Sequence, residues 1–165
     1  MPPGTLTHVA KGTPAVAELQ RQRVAHTLHP YEVAVDTPDY GRAVAEALGV
    51  PPERTFKTLV TEVDGALTVA VVPVTGELDL KALAAAAGGK RATLADRAAA
   101  ERATGYVRGG ISPLGQRKRL PTIIDSSVAA FDTVFVSAGR RGLQVELAPA
   151  DLLRLTGAAT AAIAR

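Results

Sequence analysis

Two stretches of the chain carry residues that could do chemistry. The first is Lys57, inside Phe56-Lys57-Thr58-Leu59-Val60-Thr61-Glu62-Val63. Side chains alternate along a strand, so Lys57 shares a face with Leu59, Thr61 and Val63. That face is mainly apolar, and a lysine on it either points into a pocket or snorkels at the rim of the sheet. In a pocket, its ammonium would hold a carbonyl, a phosphate or a ribose hydroxyl of a substrate. The second stretch runs from Gly105 to Asp125 and reads GYVRGGISPLGQRKRLPTIID. Gly109 and Gly110 carry no Cβ, so backbone amides there can come close to a ligand. Pro113 fixes the turn that follows, and Arg117, Lys118 and Arg119 place positive charge beside it. An amide-lined, cation-flanked loop suits an anion or a developing oxyanion. A surface turn with a solvated basic tail has the same sequence, and composition does not separate the two.

The other motifs are weaker. Ser137 to Gly142, SAGRRG, is a second glycine-rich turn whose Arg140 and Arg141 are either exposed hairpin charges or phosphate contacts near the first loop. His26 and His29 are three apart on an expected strand, hence on opposite faces, and no cysteine or HExxH pattern completes a metal set. His8 lies in the N-terminal segment. A Ser-His-Asp triad drawn from Ser112, Ser126, Ser127 or Ser137 has no GxSxG elbow to support it. Gly110 and Gly115 have the spacing of a phosphate loop, but Gln116 and Arg117 stand where Lys and Ser/Thr are required. The expectation is therefore no metal and no cofactor.

The elements that must position these residues follow from caps, turns and periodicity. Residues 1–12, with Pro2, Pro3, Gly4 and Gly12, read as a flexible tail, and 13–165 as a single domain. Thr13-Pro14 opens a first helix that ends near Arg21 and Arg23. Val24 to Val35 alternates as one strand or two, broken at Pro30. Thr37-Pro38-Asp39 starts a helix through Val44, Ala45 and Leu48 that stops at Gly49. Asp64-Gly65 joins Phe56–Val63 to Ala66–Val74 as a hairpin. Asp79 caps Leu80 to Ala87, and a second alanine-rich helix runs from about Ala95 to Ala103. Strands are expected at Leu120–Asp125, Thr133–Ser137 and Leu143–Leu147, then a helix from Pro149 to near Gly157. Because strands and helices do not alternate regularly, the expected fold is α/β of the α+β kind. Its sheet is mixed, largely antiparallel and barrel-like, with helices packed outside.

Composition bounds the function. With 165 residues and 47% hydrophobic content the chain can bury a substantial core. Cysteine is absent, which removes disulfides, thiolate nucleophiles and Cys-based zinc sites, and fits a cytoplasmic protein. No apolar run reaches the roughly 18 residues of a spanning helix, so no membrane partner is expected. A net charge of +3 favours an anionic partner, while 4% aromatic content leaves few platforms for stacking single-stranded bases. A structured RNA held through its phosphates remains compatible.

Several segments together resemble the YbaK/EbsC family of free-standing aminoacyl-tRNA editing proteins. They are Thr13-Pro14-Ala15, His29-Pro30-Tyr31, Phe56-Lys57-Thr58-Leu59, Gly105-Tyr106, Gly109-Gly110-Ile111-Ser112-Pro113-Leu114-Gly115, Val136-Ser137-Ala138-Gly139, Arg141-Gly142-Leu143 and Glu146-Leu147-Ala148-Pro149. The resemblance implies deacylation of a mischarged tRNA, most like the cysteinyl-tRNA(Pro) deacylases, with alanyl-tRNA(Pro) editing or non-catalytic tRNA or synthetase binding as alternatives. It implies that Lys57 holds the acceptor end or the ester, and that the amides of Gly109, Gly110 and Ile111 border the scissile bond. Tyr31, Thr58, Ser112, Pro113 and Ser137 would line the same pocket. Arg117, Lys118, Arg119, Arg140 and Arg141 would meet the acceptor stem, with aminoacyl-tRNA as the partner and prolyl-tRNA synthetase as a candidate second one. In the cysteine-specific members the substrate's own thiol would attack its ester, which suits a chain with no nucleophile of its own.

Overall fold

The computed structural model describes residues 12–165; the expected N-terminal tail and His8 lie outside the described residues, Gly12 excepted. Helix α1, Pro14–Arg21, is capped as its sequence predicts, Thr13 Oγ1 accepting from the Val16 amide at 3.1 Å. Its buried stripe of Ala15, Val16 and Leu19 lies on a three-stranded antiparallel sheet built from β1 His26–Pro30, β6 Val134–Arg140 and β7 Leu143–Leu147, in the order β1-β7-β6. One face of this sheet, with Val134, Val136, Ala138, Leu143, Val145 and Leu147, is completely buried against α1. The alternate positions Phe135, Ser137, Gln144 and Glu146 necessarily face the other way.

The predicted hairpin forms the centre of a second, five-stranded sheet, β2 Phe56–Val63 against β3 Ala66–Pro73, with Lys57 opposite Val72 and Thr58 opposite Val71. Strand β4, Ala92–Leu94, pairs with the end of β2. Strands β5, Thr122–Asp125, and β8, Ala159–Ala161, extend the other side in parallel, giving the order β4-β2-β3-β5-β8. The sheets are thus mixed with mostly antiparallel pairs, and helices pack against them as expected. Among the described residues no ladder closes the two sheets into a ring, and they meet at one bridge between Thr55 and Phe135.

Three further differences concern single elements. Thr37 does not cap the second helix. That helix, α2 Tyr40–Leu48, begins after Asp39, whose left-handed backbone (φ 51°) redirects the chain without a capping bond. Just before the expected alanine-rich helix, β4 pairs with Thr61–Val63, and Asp96 caps the shorter helix α4, Arg97–Thr104. Helix α3, Leu80–Ala86, is capped by Asp79 as predicted. The alanine-rich end after helix α5, Pro149–Thr156, is strand β8, which no hydrophobic pattern announces.

Asp125 holds that end in place. It is only 6% exposed, and its Oδ1 accepts from the amides of Ile163 and Ala164, both at 3.0 Å. Burial alone would raise its pKa, but hydrogen bonds from Ser127, Ala164 and Ile163 hold it below the ordinary carboxylate value. A depressed folded pKa stabilises the fold above the unfolded value of 3.8 and loses that contribution as pH falls through the folded value. Asp125→Ala is therefore expected to cost about 1–3 kcal/mol at pH 7. Its deficit relative to the parent should shrink toward pH 3 in urea unfolding.

Candidate active site

Strand β4 covers the edge of β2 only from Thr61 to Val63, and the Ala95 amide reaches Val60 O at 3.0 Å. The first half of β2 therefore has an edge without a ladder partner, and a cavity of about 510 Å³ opens beside it. Residues 55–60, at the start of β2, line one side. Tyr40, Gly41 and Val44 of α2 contribute a second wall, and Ala100 and Glu101 of α4 a third. Gly109 and Ile111 of the glycine loop and Ser137 and Gln144 of the first sheet complete it. Lys57, Thr58, Gly109, Ile111 and Ser137, drawn from three distant parts of the sequence, thus share one cavity. No salt bridge among the described residues engages Lys57.

The loop is held from behind. Helix α4 ends at Gly105, and the buried Tyr106 hydroxyl donates to Leu114 O at 2.6 Å. Glu18 of α1 accepts from the Gly115 amide at 2.8 Å, and Ser112 Oγ, fully buried, accepts from the Leu114 amide at 3.1 Å. Ser112 and Pro113 consequently do not line the cavity; they build the loop's base. Gly110 packs against the β6–β7 turn so closely that a Cβ would stand 2.8 Å from the backbone of Arg140. Its amide donates to Val107 O at 2.9 Å, which leaves the Gly109 and Ile111 amides as the candidates for a ligand.

Tyr31 also sits behind the wall. Its hydroxyl bonds the Tyr40 hydroxyl at 2.9 Å, and Tyr40 rather than Tyr31 lines the cavity. Burial, then the bond to Tyr31, pushes the Tyr40 phenol well above its usual pKa, so it is neutral and can only donate or accept a hydrogen bond at neutral pH. Tyr31→Phe should raise KM about threefold to tenfold with kcat little changed, the loss expected for one neutral hydrogen bond.

Charge gathers at the rim. Arg97 and Arg108 line the cavity with Lys57, and Glu101 is already engaged by the Arg108 amide (3.1 Å) and Arg97 Nε (3.2 Å). The Arg108 amide first, then Arg97, holds the Glu101 carboxyl below its ordinary value. Arg141 Nε donates to Arg108 O at 2.8 Å, tying the SAGRRG turn to the glycine loop. Arg140 is exposed beside it. Arg117, Lys118 and Arg119 are exposed too, but their segment is pinned elsewhere: Arg117 and Lys118 amides bond the last carbonyls of α4, and Arg119 borders a different, smaller recess. The histidines have local partners, His26 Nδ1 at 2.7 Å from Val24 O and His29 Nε2 at 2.9 Å from Glu146 Oε1.

A family model for the aminoacyl-tRNA editing domain matches residues 35–155, which include every wall of this cavity. The chain belongs to that family. Among curated relatives, "Putative Cys-tRNA(Pro)/Cys-tRNA(Cys) deacylase EbsC" of Enterococcus faecalis is 47% identical over 69% of this chain and 70% of its own length. "Multifunctional Ser/Thr-tRNA deacylase ProXp-y" of Escherichia coli is 33% identical over 68% of this chain and 71% of its own. A solved structure, "Crystal structure of a putative trans-editing enzyme for prolyl tRNA synthetase", has the same fold, with TM-score 0.78 and 22% identity over 92% of both chains.

Sequence reasoning about this editing domain missed Tyr40, Arg97, Arg108 and Gln144. Arg108 had a signal, standing next to the double glycine. Gln144 had none, because a polar residue alternating with apolar ones on a strand reads as solvent-facing. Among the described residues no helix is long and apolar enough to cross a membrane.

Proposed function

We propose that this protein deacylates mischarged tRNA, cysteinyl-tRNA(Pro) first, with residues 13–165 acting as one editing unit in the cytoplasm. The observation that carries the reading is one cavity bordered by Lys57 and by the Gly109 and Ile111 segment, in a chain without cysteine. Lys57 would anchor the acceptor end or the ester, and the amides of Gly109 and Ile111, without partners among the described residues, would receive charge developing on the carbonyl oxygen. The substrate supplies the nucleophile. Its thiol sulfur attacks its own ester carbonyl, the bond to the ribose oxygen breaks, and the thiol proton leaves with the ribose hydroxyl. The products are a cyclic thioester and free tRNA.

Positioning is then the protein's main contribution, and well-oriented intramolecular reactions gain about 7–11 kcal/mol from it. Arg97, Arg108 and Arg141 near the mouth support an approach of the phosphate backbone from that side, with Arg140 beside them; Arg117–Arg119 would touch the stem further away. Prolyl-tRNA synthetase is the candidate partner that would add tRNA selectivity. The reading is tested with purified cysteinyl-, seryl- and alanyl-tRNA(Pro) and wild-type protein. Turnover of the cysteinyl ester is expected, and tRNA binding with no turnover of any ester would replace catalysis by a binding role.

A further inference from the structure

The cavity lining contains a buried polar group that no described residue satisfies. Gln144 is 7% exposed and lines the cavity, and its Oε1 has no hydrogen-bond partner among the described residues. Thr58 Oγ1, on the β2 wall of the same cavity, is likewise buried without a partner. Ser137 stands directly across the β6–β7 ladder from Gln144, and its hydroxyl oxygen already accepts from the Gly139 amide at 3.1 Å. Burying an unsatisfied polar oxygen costs free energy, so a ligand that pairs with these two groups gains by relieving that cost.

The chemistry of the ligand follows from the surroundings. The charged residues lining the cavity, Asp39, Lys57, Arg97, Glu101 and Arg108, belong to the start of α2, to β2, to α4 and to the glycine loop, and the first sheet contributes only Ser137 and Gln144. Ile111 adds an apolar contact. The first-sheet side of the cavity offers a carboxamide and a serine hydroxyl and no charge, and with the unpartnered Thr58 hydroxyl of β2 lining the same cavity it suits a small side chain bearing one polar hydrogen. We propose that Gln144, with Thr58, reads the side chain of the esterified amino acid by hydrogen-bonding a hydroxyl or thiol on its Cβ. This rests on the deacylase reading and adds a specificity determinant to the substrate's own nucleophile: a seryl or cysteinyl side chain pairs with the carboxamide, and an alanyl methyl leaves it unpaired.

The test is single-turnover deacylation of cysteinyl-, seryl- and alanyl-esters on one tRNA. It compares the parent with Gln144→Met, which keeps the length and removes the polar end, and with Thr58→Val, which keeps the shape. Each variant should lower the seryl-to-alanyl rate ratio about tenfold, the worth of one neutral hydrogen bond. The cysteinyl-to-alanyl ratio should fall less, about threefold, because a thiol is a weak donor. An equal loss on all three esters would make the residues merely structural and overturn the inference, as would a parent that prefers the alanyl ester; in both cases deacylation itself stands. A parent inactive on every ester would instead remove the deacylase reading. Should Gln144→Met fail to fold, shown by its thermal transition, the Thr58→Val ratios decide.

Discussion

Replacing Lys57 by alanine is expected to lower deacylation of the preferred ester about a hundredfold while the protein stays folded. Lys57 is half-buried on a strand whose neighbours Phe56 and Val60 carry the packing, so loss of its stem removes little core contact. Surface changes of this kind usually stay within about 0.5 kcal/mol in stability. Lys57, by contrast, lines the cavity together with Gly109 and Ile111, and its ammonium has no carboxylate partner among the described residues to occupy it. A charge-assisted hydrogen bond to a phosphate or carbonyl is worth about 1.5–3 kcal/mol, which corresponds to about 10–10² in rate when made in the transition state. Lys57→Arg should recover little, since a planar fork does not replace a point charge in a site shaped around it. Single-turnover rates with matched thermal midpoints check this; near-parental turnover by Lys57→Ala would remove the lysine from the mechanism.

The second large effect is expected at Gly110. A Cβ there would meet the backbone of Arg140 and Arg141 at 2.8–2.9 Å, and backbone cannot rotate aside as a side chain can. The loop must then lift away from the β6–β7 turn, carrying the Gly109 and Ile111 amides with it. Overpacking of this kind costs about 1–3 kcal/mol in stability. A misplacement of about 1 Å in a positioned donor costs about 10² in rate. Gly110→Ala should therefore lose about a hundredfold in kcat at a temperature where it remains folded. Gly109 is constrained differently: its φ is 83°, and a Cβ there would stand 2.8 Å from a Val35 methyl, so both backbone and space disfavour a side chain. Unchanged turnover by Gly110→Ala would show that the loop's position does not matter to the reaction.

The two experiments probe the two halves of the site that are far apart in the chain, and their combination is informative. If Lys57 anchors the acceptor end and the loop stabilises charge, the losses should be close to additive, because the residues do different work on the same substrate. Strong non-additivity would mean that each acts only in the presence of the other.

Much of this site was legible before any coordinates. Strand propensity and alternation around Lys57 identified β2, Asp64-Gly65 identified its hairpin, and the double glycine with its proline identified a loop built for close approach. These signals are local: a cap, a turn or an alternating strand depends on residues within about five positions of one another. The family resemblance then linked the pieces. What it carried to Tyr31, Ser112 and Pro113 was proximity to the site; the structure places all three behind the cavity wall, holding Tyr40 and the loop.

Which groups reach the cavity was decided by tertiary contacts alone. Gln144 and Glu146 occupy the same kind of alternating polar position on β7, yet one lines the cavity while the other binds His29, because the cavity opens at only one end of that strand. Tyr40 gains its place from the turn at Asp39, and β8 forms by pairing with Ile123–Asp125, its far end held where Asp125 accepts the amides of Ile163 and Ala164, 38 and 39 residues away. The sequence by itself determined most of the elements, β4 and β8 excepted, together with the absence of a thiol nucleophile and the two motifs that border the site. Their meeting in one cavity, and the identity of its remaining walls, came from long-range pairing whose energy is shared among many weak contacts, and no short window of residues records it.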